Sequence, residues 1–329
     1  MRIFLRTFND SINSKTGQSL PIGQKRGSPE WIQFQDILIN CLQRLDHYLL
    51  FQTENPLVED KKVFETGSYD KSIYVHQTKL EKPEGNLFWM QMHMRELFTI
   101  DTTGWGADCS TNKLFNPEEI DQDEATRFCE QKSDELLRLK ISKCEQQSET
   151  DNTPSNFILV PVQIPRDYTI KHHSPITVRY FIESVQAWAI ETETQVCFKM
   201  HPFNKGDRDL HQIIEEAQAS SPFVCKVEGN IHELIRRSSG VLVINSGTGW
   251  ESLLHGKPVA TIGDCDYKRL TLNADVRRLD EVSHFFREYK EEFRQLAYKF
   301  VWWYWHKHAY DVNASDTPSR LTEYLKGVL

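Results

Sequence analysis

The stretch from Gly240 to Gly263, GVLVINSGTGWESLLHGKPVATIG, constrains the fold more than any other part of this chain. It reads as an apolar strand, a small polar loop with glycines, a short helix, a glycine turn and a second apolar strand. Where the first strand stops at Asn245-Ser246-Gly247-Thr248-Gly249 and opens the helix, backbone N–H groups face outward at the positive end of a helix dipole. That is a place for a phosphate.

The same alternation runs through the whole second half. Strands are expected at Phe157 to Val162, Gln195 to Met200, Phe223 to Val227, Val241 to Asn245 and Val259 to Ile262, with helices at Ile176 to Glu191, Asp209 to Ala219, Ile231 to Ser238 and Gly249 to His255. Continuously apolar strands alternating with helices imply a parallel sheet covered on both faces, so this half reads as a Rossmann-like domain. In open parallel sheets ligands bind beyond the carboxyl ends of the strands. The unusual polar residues stand there: Gln163, Arg166 and Asp167 after the first strand, His201, Pro202, Asn204 and Lys205 after the second, Asn245 to Thr248 after the fourth, and Asp264 and Asp266 after the fifth. Each also has a structural reading: Asp167 as a turn and cap residue, His201-Pro202 as a strand terminator, Ser246 as a helix N-cap, Glu251 as a solvated glutamate.

A chain of 329 residues is comfortable for two domains. Residues 116 to 154 are a charged helix, opened by Asn116-Pro117-Glu118-Glu119, that runs into a polar stretch; they read as a hinge. The expected division is an N-terminal domain at 1–150, a second Rossmann-like domain at 151–280 and C-terminal helices at 281–329. The first part mixes a strand at MRIFLRTF, a polar loop with Gly17, Gly23 and Gly27, a helix from Pro29 to about Leu50, and strands at Lys61 to Glu65, Ser72 to His76 and Asn86 to Met94. A net charge of −8 argues against a nucleic-acid surface. The seven scattered cysteines contain no C-x-x-C pair, which argues against zinc and against a disulfide framework. The N-terminal apolar run is too brief for a signal peptide or a membrane span, so a cytoplasmic setting is expected.

Dinucleotide, P-loop, nucleophile-elbow and zinc-protease motifs are absent. A nucleotide-sugar site, which needs only a Gly-Ser-Thr loop and a few charges, survives. The ordered set Leu159-Val160-Pro161-Val162-Gln163 with Asp167, then Lys199-Met200-His201-Pro202, then Asn245 through Val259, resembles the capsular polysaccharide biosynthesis proteins that include bacterial Kdo transferases. The likeness covers roughly residues 155 to 267. It implies an α/β protein of the GT-B class: two Rossmann-like domains facing a cleft, an acceptor-side N-terminal domain, a donor-binding second domain, and a C-terminal helix crossing back to the first. It further implies a glycosyltransferase moving sugar from a nucleotide sugar, CMP- or UDP-linked, to a surface glycan, with no tightly bound cofactor and no metal. Gln163, Lys199, His201, Asn245, Ser246, Gly247, Thr248 and Glu251 then fall at the donor, and Asp167 matches the aspartate that serves as nucleophile in a retaining reaction.

The chemistry is coherent with that. Breaking a sugar–phosphate bond builds positive charge at the anomeric carbon and negative charge on the leaving group, which helix N–H groups, Ser246, Thr248 and a cationic His201 or Lys205 can stabilise. A carboxylate, Asp167 or Asp101, attacks the sugar or activates the acceptor. Asp101, Trp105 and Asp108 stand in LFTIDTTGWGADCS, a turn suited to an acceptor sugar stacked on Trp105, or to an ordinary Asp-rich turn over a buried Trp; His93 and Arg95 share that ambiguity. Two alternatives stay open: an inverting UDP-sugar transferase with Asp101 as base, and a non-catalytic glycan or nucleotide-binding protein. Glu281 to Tyr310 is expected to be a long helix ending in FVWWYWHKHAY. Its aromatics, Trp302 to Trp305 among them, either pack on the first domain or form a peripheral membrane contact.

Overall fold

The computed structural model describes residues 1–7, 28–53, 70–75, 85–144, 153–204 and 206–329. The chain groups into two compact units, Met1–Ser110 with Trp305–Leu329, and Thr111–Tyr304. The borders drawn from composition at 150 and 280 do not coincide with this grouping. The expected strand at Lys61 to Glu65 and the glycine loop at 8–27 lie outside the described residues.

The first unit is built on β1 (Arg2–Thr7), α1 (Pro29–Arg44), β2 (Tyr48–Thr53), β3 (Lys71–Val75), β4 (Leu87–Gln91) and β5 (Leu97–Asp101). Its sheet runs β2-β1-β3-β4-β5 and ends on a short strand, Tyr310–Asp311. The first three pairings are parallel, and β5 is antiparallel to both its neighbours. Helix α1 starts where Ser28 caps the Trp31 N–H with Pro29 at its first position, and it buries Phe34, Leu38 and Leu42. It stops earlier than its apolar pattern suggests because Asp46 takes a left-handed conformation, φ 55°, and the next residues extend into β2.

The second unit carries α2 (Thr111–Leu114), α3 (Gln122–Leu139), β6 (Ile158–Val162), α4 (Tyr168–His173), α5 (Val178–Glu191), β7 (Val196–Met200), α6 (Arg208–Ser220), β8 (Val224–Lys226) and α7 (Ile231–Arg237). It continues with β9 (Gly240–Val243), α8 (Gly247–Leu254), β10 (Val259–Thr261), β11 (Leu272–Asn273), α9 (Asp280–Arg287) and α10 (Glu291–Trp303). Its sheet is ordered β8-β7-β6-β9-β10-β11 and is parallel throughout. This is the doubly wound order, with its reversal between β6 and β9. Both faces of the strands are buried: Val160, Val162, Phe198, Leu242 and Ile244 pack with Phe181, Ile182 and Val185 of α5, and Leu159, Cys197, Val241 and Val243 of the opposite face are fully buried too.

Within the expected hinge, α3 is bound into this unit. Asp121 caps α3 through the Glu124 N–H at 2.8 Å, and Gln122 and Cys129 donate to the Gln295 and Tyr298 carbonyls of α10. The expected long C-terminal helix is broken: α9 and α10 are separate, and a π-helical turn at Tyr304–His308 follows. Of the aromatic run, Trp303, Tyr304 and Trp305 are 8%, 0% and 5% exposed. Trp303 packs against Phe115, and Trp305 donates its indole N–H to Asp311 at 3.1 Å. Trp303, Tyr304 and Trp305, committed to a core, have no face to offer a bilayer, so of the membrane-contact reading of Trp302 to Trp305 only the half-buried Trp302 is left. No described helix is long and apolar enough to cross a membrane. A disulfide joins Cys197 and Cys225, facing residues of β7 and β8, and five cysteines are free. One bridge between adjacent strands is not a framework, although the scattered spacing gave no sign of it.

Candidate functional site

The polar rim begins with a proline. In β6 the Ile158 N–H donates toward β7, to the Gln195 carbonyl at 2.9 Å. Alternation therefore turns the backbone nitrogen of Pro161 toward β9, where it has no hydrogen to give. Pairing of β6 with β7 covers all of Ile158–Val162, whereas pairing with β9 ends at Leu159↔Val241. The two central strands are thus unlaced at their carboxyl ends, at the reversal point where doubly wound sheets open a crevice.

Side chains bridge that opening. Gln163 donates to Asn245 Oδ1 at 2.8 Å and accepts from the Asn245 backbone N–H at 3.0 Å, while Asn245 Nδ2 reaches the Thr169 carbonyl at 3.0 Å. Asn204 Nδ2 donates to the Gln163 carbonyl at 3.0 Å, tying in the turn after β7. Gln163 and Asn245 are buried with complementary partners, so they fix the rim; they are held against each other. Gly263 closes it, because a Cβ there would stand 2.5 Å from the His173 carbonyl.

Asp167 is half-buried at the start of α4, and its Oδ1 accepts from the Thr169 N–H at 2.8 Å and hydroxyl at 2.7 Å. The capping reading and the site reading therefore coexist: one oxygen is spent on the helix. His201 accepts the Phe203 N–H on Nδ1 at 3.1 Å, which leaves the proton of a neutral ring on Nε2, the atom 3.9 Å from Cys144 Sγ. Burial pushes the His201 pKa down, against the pull of Asp167 and with the push of Lys199 and Lys143. Burial thus works against the cationic form expected of His201. Lys199 is buried in β7, and Lys205 lies outside the described residues.

Ser246 caps α8, its hydroxyl accepting from the Thr248 N–H at 3.2 Å and its carbonyl from the Gly249 N–H at 2.9 Å. The loop is thus less bare of partners than its sequence suggests. Gly249 is required for packing: a Cβ would land on the phenol of Tyr267, which donates to the Ser246 carbonyl. Glu251 is 5% exposed, not the solvated glutamate of the bland reading. It accepts from Ser142 at 2.9 Å, and burial raises its pKa to about 7 against the favourable pull of Ser142 and Lys143. Burial pushes the pKa of Lys143, on the connection after α3, down, against the pull of Cys144, Asp167, Glu251 and Asp266. Neither Ser142 nor Lys143 was legible as a site residue, because ISKC has no motif and only the packing of α3 brings it here. Among the described residues no cluster of three or more His, Cys, Asp or Glu side chains is arranged to hold a metal.

The acceptor-side candidates lie in the first unit. Both Asp101 oxygens are engaged, Oδ1 by the Thr103 N–H and hydroxyl at 2.8 and 2.7 Å and Oδ2 by the Ser110 N–H at 3.0 Å and hydroxyl. Four donors make Asp101 the organiser of its loop, with no oxygen left to act as a base. Trp105 is buried, so its ring has no open face for a sugar, and Asp108 is half-buried in the following turn. His93 is buried as well.

Residues 136–301, just over half of the chain, match the family described as capsule polysaccharide biosynthesis protein. FixF of Sinorhizobium fredii is 36% identical over 119 residues, 34% of this chain and 27% of that protein. The capsule polysaccharide modification protein LipB of Neisseria meningitidis serogroup A is 28% identical over 120 residues, 34% of this chain and 29% of that one. The matched segments thus span less than a third of either relative. Among solved structures, KpsC of Thermosulfurimonas dismutans, a beta Kdo 2,7 transferase, superposes with a TM-score of 0.53 at 17% identity, over 88% of this chain and 95% of that one. This likeness is one of fold and gives the α/β GT-B class. The chain belongs to the capsule polysaccharide biosynthesis protein family.

Proposed function

We propose that the protein is a glycosyltransferase that binds a nucleotide sugar on the rim of its second unit and transfers the sugar to a glycan acceptor. The observation that carries this reading is the convergence of Asp167, His201 and the Ser246–Thr248 loop around the Gln163–Asn245 bridge, at the reversal point of a parallel sheet. The first unit is read as the acceptor side. Asp101 is committed to its loop and Trp105 is buried, and acceptor contacts there are assigned to no residue.

In this reading Asp167 attacks the anomeric carbon with the oxygen that is not capping α4. The bond from that carbon to the phosphate oxygen breaks, and its electron pair leaves with the nucleotide. The His201 Nε2–H, the Ser246 and Thr248 hydroxyls and the positive end of α8 stabilise the charge that develops. The acceptor hydroxyl then forms its bond to the anomeric carbon as the bond to Asp167 breaks, its proton leaving to water, and the result is net retention. A CMP-linked sugar is the donor proposed first, because the capsular resemblance includes Kdo transferases, and a UDP-linked sugar is the alternative. The inverting alternative with Asp101 as base loses support from the four donors on that carboxylate.

The test is a thermal-shift screen across CMP-, UDP-, GDP- and dTDP-sugars, since a ligand that binds only the native state stabilises it by mass action. The expected result is one large shift with a CMP-sugar, and NMR of the transfer product then reports retention. No shift with any nucleotide sugar would overturn the donor-site reading.

A further inference from the structure

Beneath Glu251 lies a buried chain of groups that the reaction above does not use. His232, on α7, is fully buried, and its Nδ1 is 2.9 Å from Nε2 of His255, which follows α8. His255 Nδ1 is in turn 2.7 Å from the hydroxyl of Ser133 on α3. At the other end, His232 Nε2 stands 3.9 Å from Glu251 Oε1. Ser133 is half-buried, so the chain runs from the donor rim to the edge of the unit. Both imidazoles resist charging: burial lowers the His232 pKa to about 4, and it lowers that of His255, helped by His232, Arg236 and Lys257.

Two buried neutral imidazoles in contact are explained only if one donates and the other accepts. Each link in this chain can point either way, and the directions are coupled. With Glu251 ionised, the Ser133 hydroxyl donates to His255 Nδ1, His255 Nε2–H donates to His232 Nδ1, and His232 Nε2–H faces the carboxylate. With Glu251 protonated, every link reverses.

We propose that Ser133, His255 and His232 form a tautomer relay that carries the Glu251 proton between the donor rim and the protein surface, and that they are positioning residues for Glu251. On release, the Glu251 proton passes to His232 Nε2 and the His232 Nδ1 proton to His255 Nε2. The His255 Nδ1 proton then passes to Ser133, whose own hydroxyl proton leaves to water. One proton exits, and neither ring becomes charged. The carboxyl must close the 3.9 Å gap to His232, a side-chain movement of about one ångström toward hydrogen-bond distance. The other groups facing Glu251 are Ser142, Lys143 and Tyr267; those facing the histidines are the Ile141 carbonyl, Arg236 and Lys257. From α10, Arg294 and Tyr298 come up only to Gly256, one residue past His255. The consequence for function rests on the donor-site reading: an anionic nucleotide beside a buried carboxylate requires that carboxylate to take up a proton, and the relay supplies it where water cannot reach.

The experiment is a pH titration of the ligand-free protein with 15N-labelled histidines, read by long-range proton–nitrogen NMR and assigned with His232→Gln and His255→Gln. The expected result is that both rings exchange their protonated nitrogen together, at one midpoint near the Glu251 pKa of about 7, without either becoming cationic. In Glu251→Gln, which keeps the Ser142 acceptor, the exchange disappears and each ring holds one tautomer. Fixed tautomers across the range in the unmodified protein, or two rings charging at separate midpoints, would overturn the relay. Calorimetry with CMP in buffers of different ionisation enthalpy is the second arm, with proton uptake expected in the unmodified protein and lost in Glu251→Gln. A coupled exchange with no CMP binding sinks the donor reading and leaves the relay standing; CMP binding with no uptake sinks the coupling.

Discussion

Replacing Glu251 by Gln should stabilise the protein at alkaline pH and leave it unchanged at acid pH. In the folded chain burial raises this carboxyl from its ordinary 4.5 to about 7. Between those values the folded state keeps a proton that the unfolded chain has lost, so stability falls as pH rises through the window. At 1.36 kcal/mol for each pH unit, the buried carboxylate costs about 3 kcal/mol above pH 7. Gln preserves the acceptor for Ser142 and cannot ionise, so it removes that cost. His232 acts in the opposite sense: its pKa falls from 6.5 to about 4, and its contribution is lost as pH drops through that range. It is common to both proteins and cancels from their difference. Urea unfolding at pH 5 and pH 8 is the assay. The variant should exceed the parent by just under ~1 kcal/mol at pH 5, where the unfolded carboxyl is already mostly ionised, and by about 3 kcal/mol at pH 8. An equal gain at both pH values, or none at pH 8, would refute the assignment of a raised, buried carboxyl.

Asp167→Asn is a cleaner test of the nucleophile than Asp167→Ala, since Asn keeps the oxygen that caps α4 through the Thr169 N–H. It should lower transfer on the order of 10³-fold or more with the melting temperature unchanged; retained activity in a transfer assay removes Asp167 from the chemistry. Gly249→Ala should destabilise by about 1–3 kcal/mol in denaturant titration, because its methyl meets the fully buried Tyr267 ring and a better helix residue cannot offset that overlap. Ser246→Ala should cost about 1 kcal/mol for the lost cap and weaken CMP binding in calorimetry. Normal affinity would reduce Ser246 to a cap alone.

The second unit was legible because its signal is local and redundant. Val160, Phe198, Leu242 and Ala260 stand in short, mostly apolar runs buried on every position, as strands of a two-sided parallel sheet are. The rim was legible for the same reason, since Gln163, His201 and Asn245 follow directly where those runs end. What could not be read needed distances along the chain. The border at 150 rested on charge and polarity, yet α3 has an apolar side, Ala125, Cys129 and Leu136, that packs in the second unit. Asp101 looked available because an Asp in a Gly-rich turn is written the same way whether its oxygens are empty or filled. Ser110, nine residues on, fills one of them.

Glu251 shows why the remaining chemistry was hidden. The sequence puts it one turn into α8, a position that on an isolated helix faces water. Here α8 is enclosed: Trp250, Leu253 and Leu254 are buried, and α3 and α7 cover the side where Glu251 emerges, bringing Ser142 and His232 to it. A carboxyl so placed costs stability when ionised, and two neutral histidines beneath it cost stability when charged. A buried cluster that is unfavourable in each charged form is retained at that expense, and a folded protein has a simpler way to fill the space with apolar side chains. The expense falls beside the loop of Ser246 and Thr248, where an anion would sit. Such an expense is what the proposed change of the Glu251 proton on arrival of that anion would require.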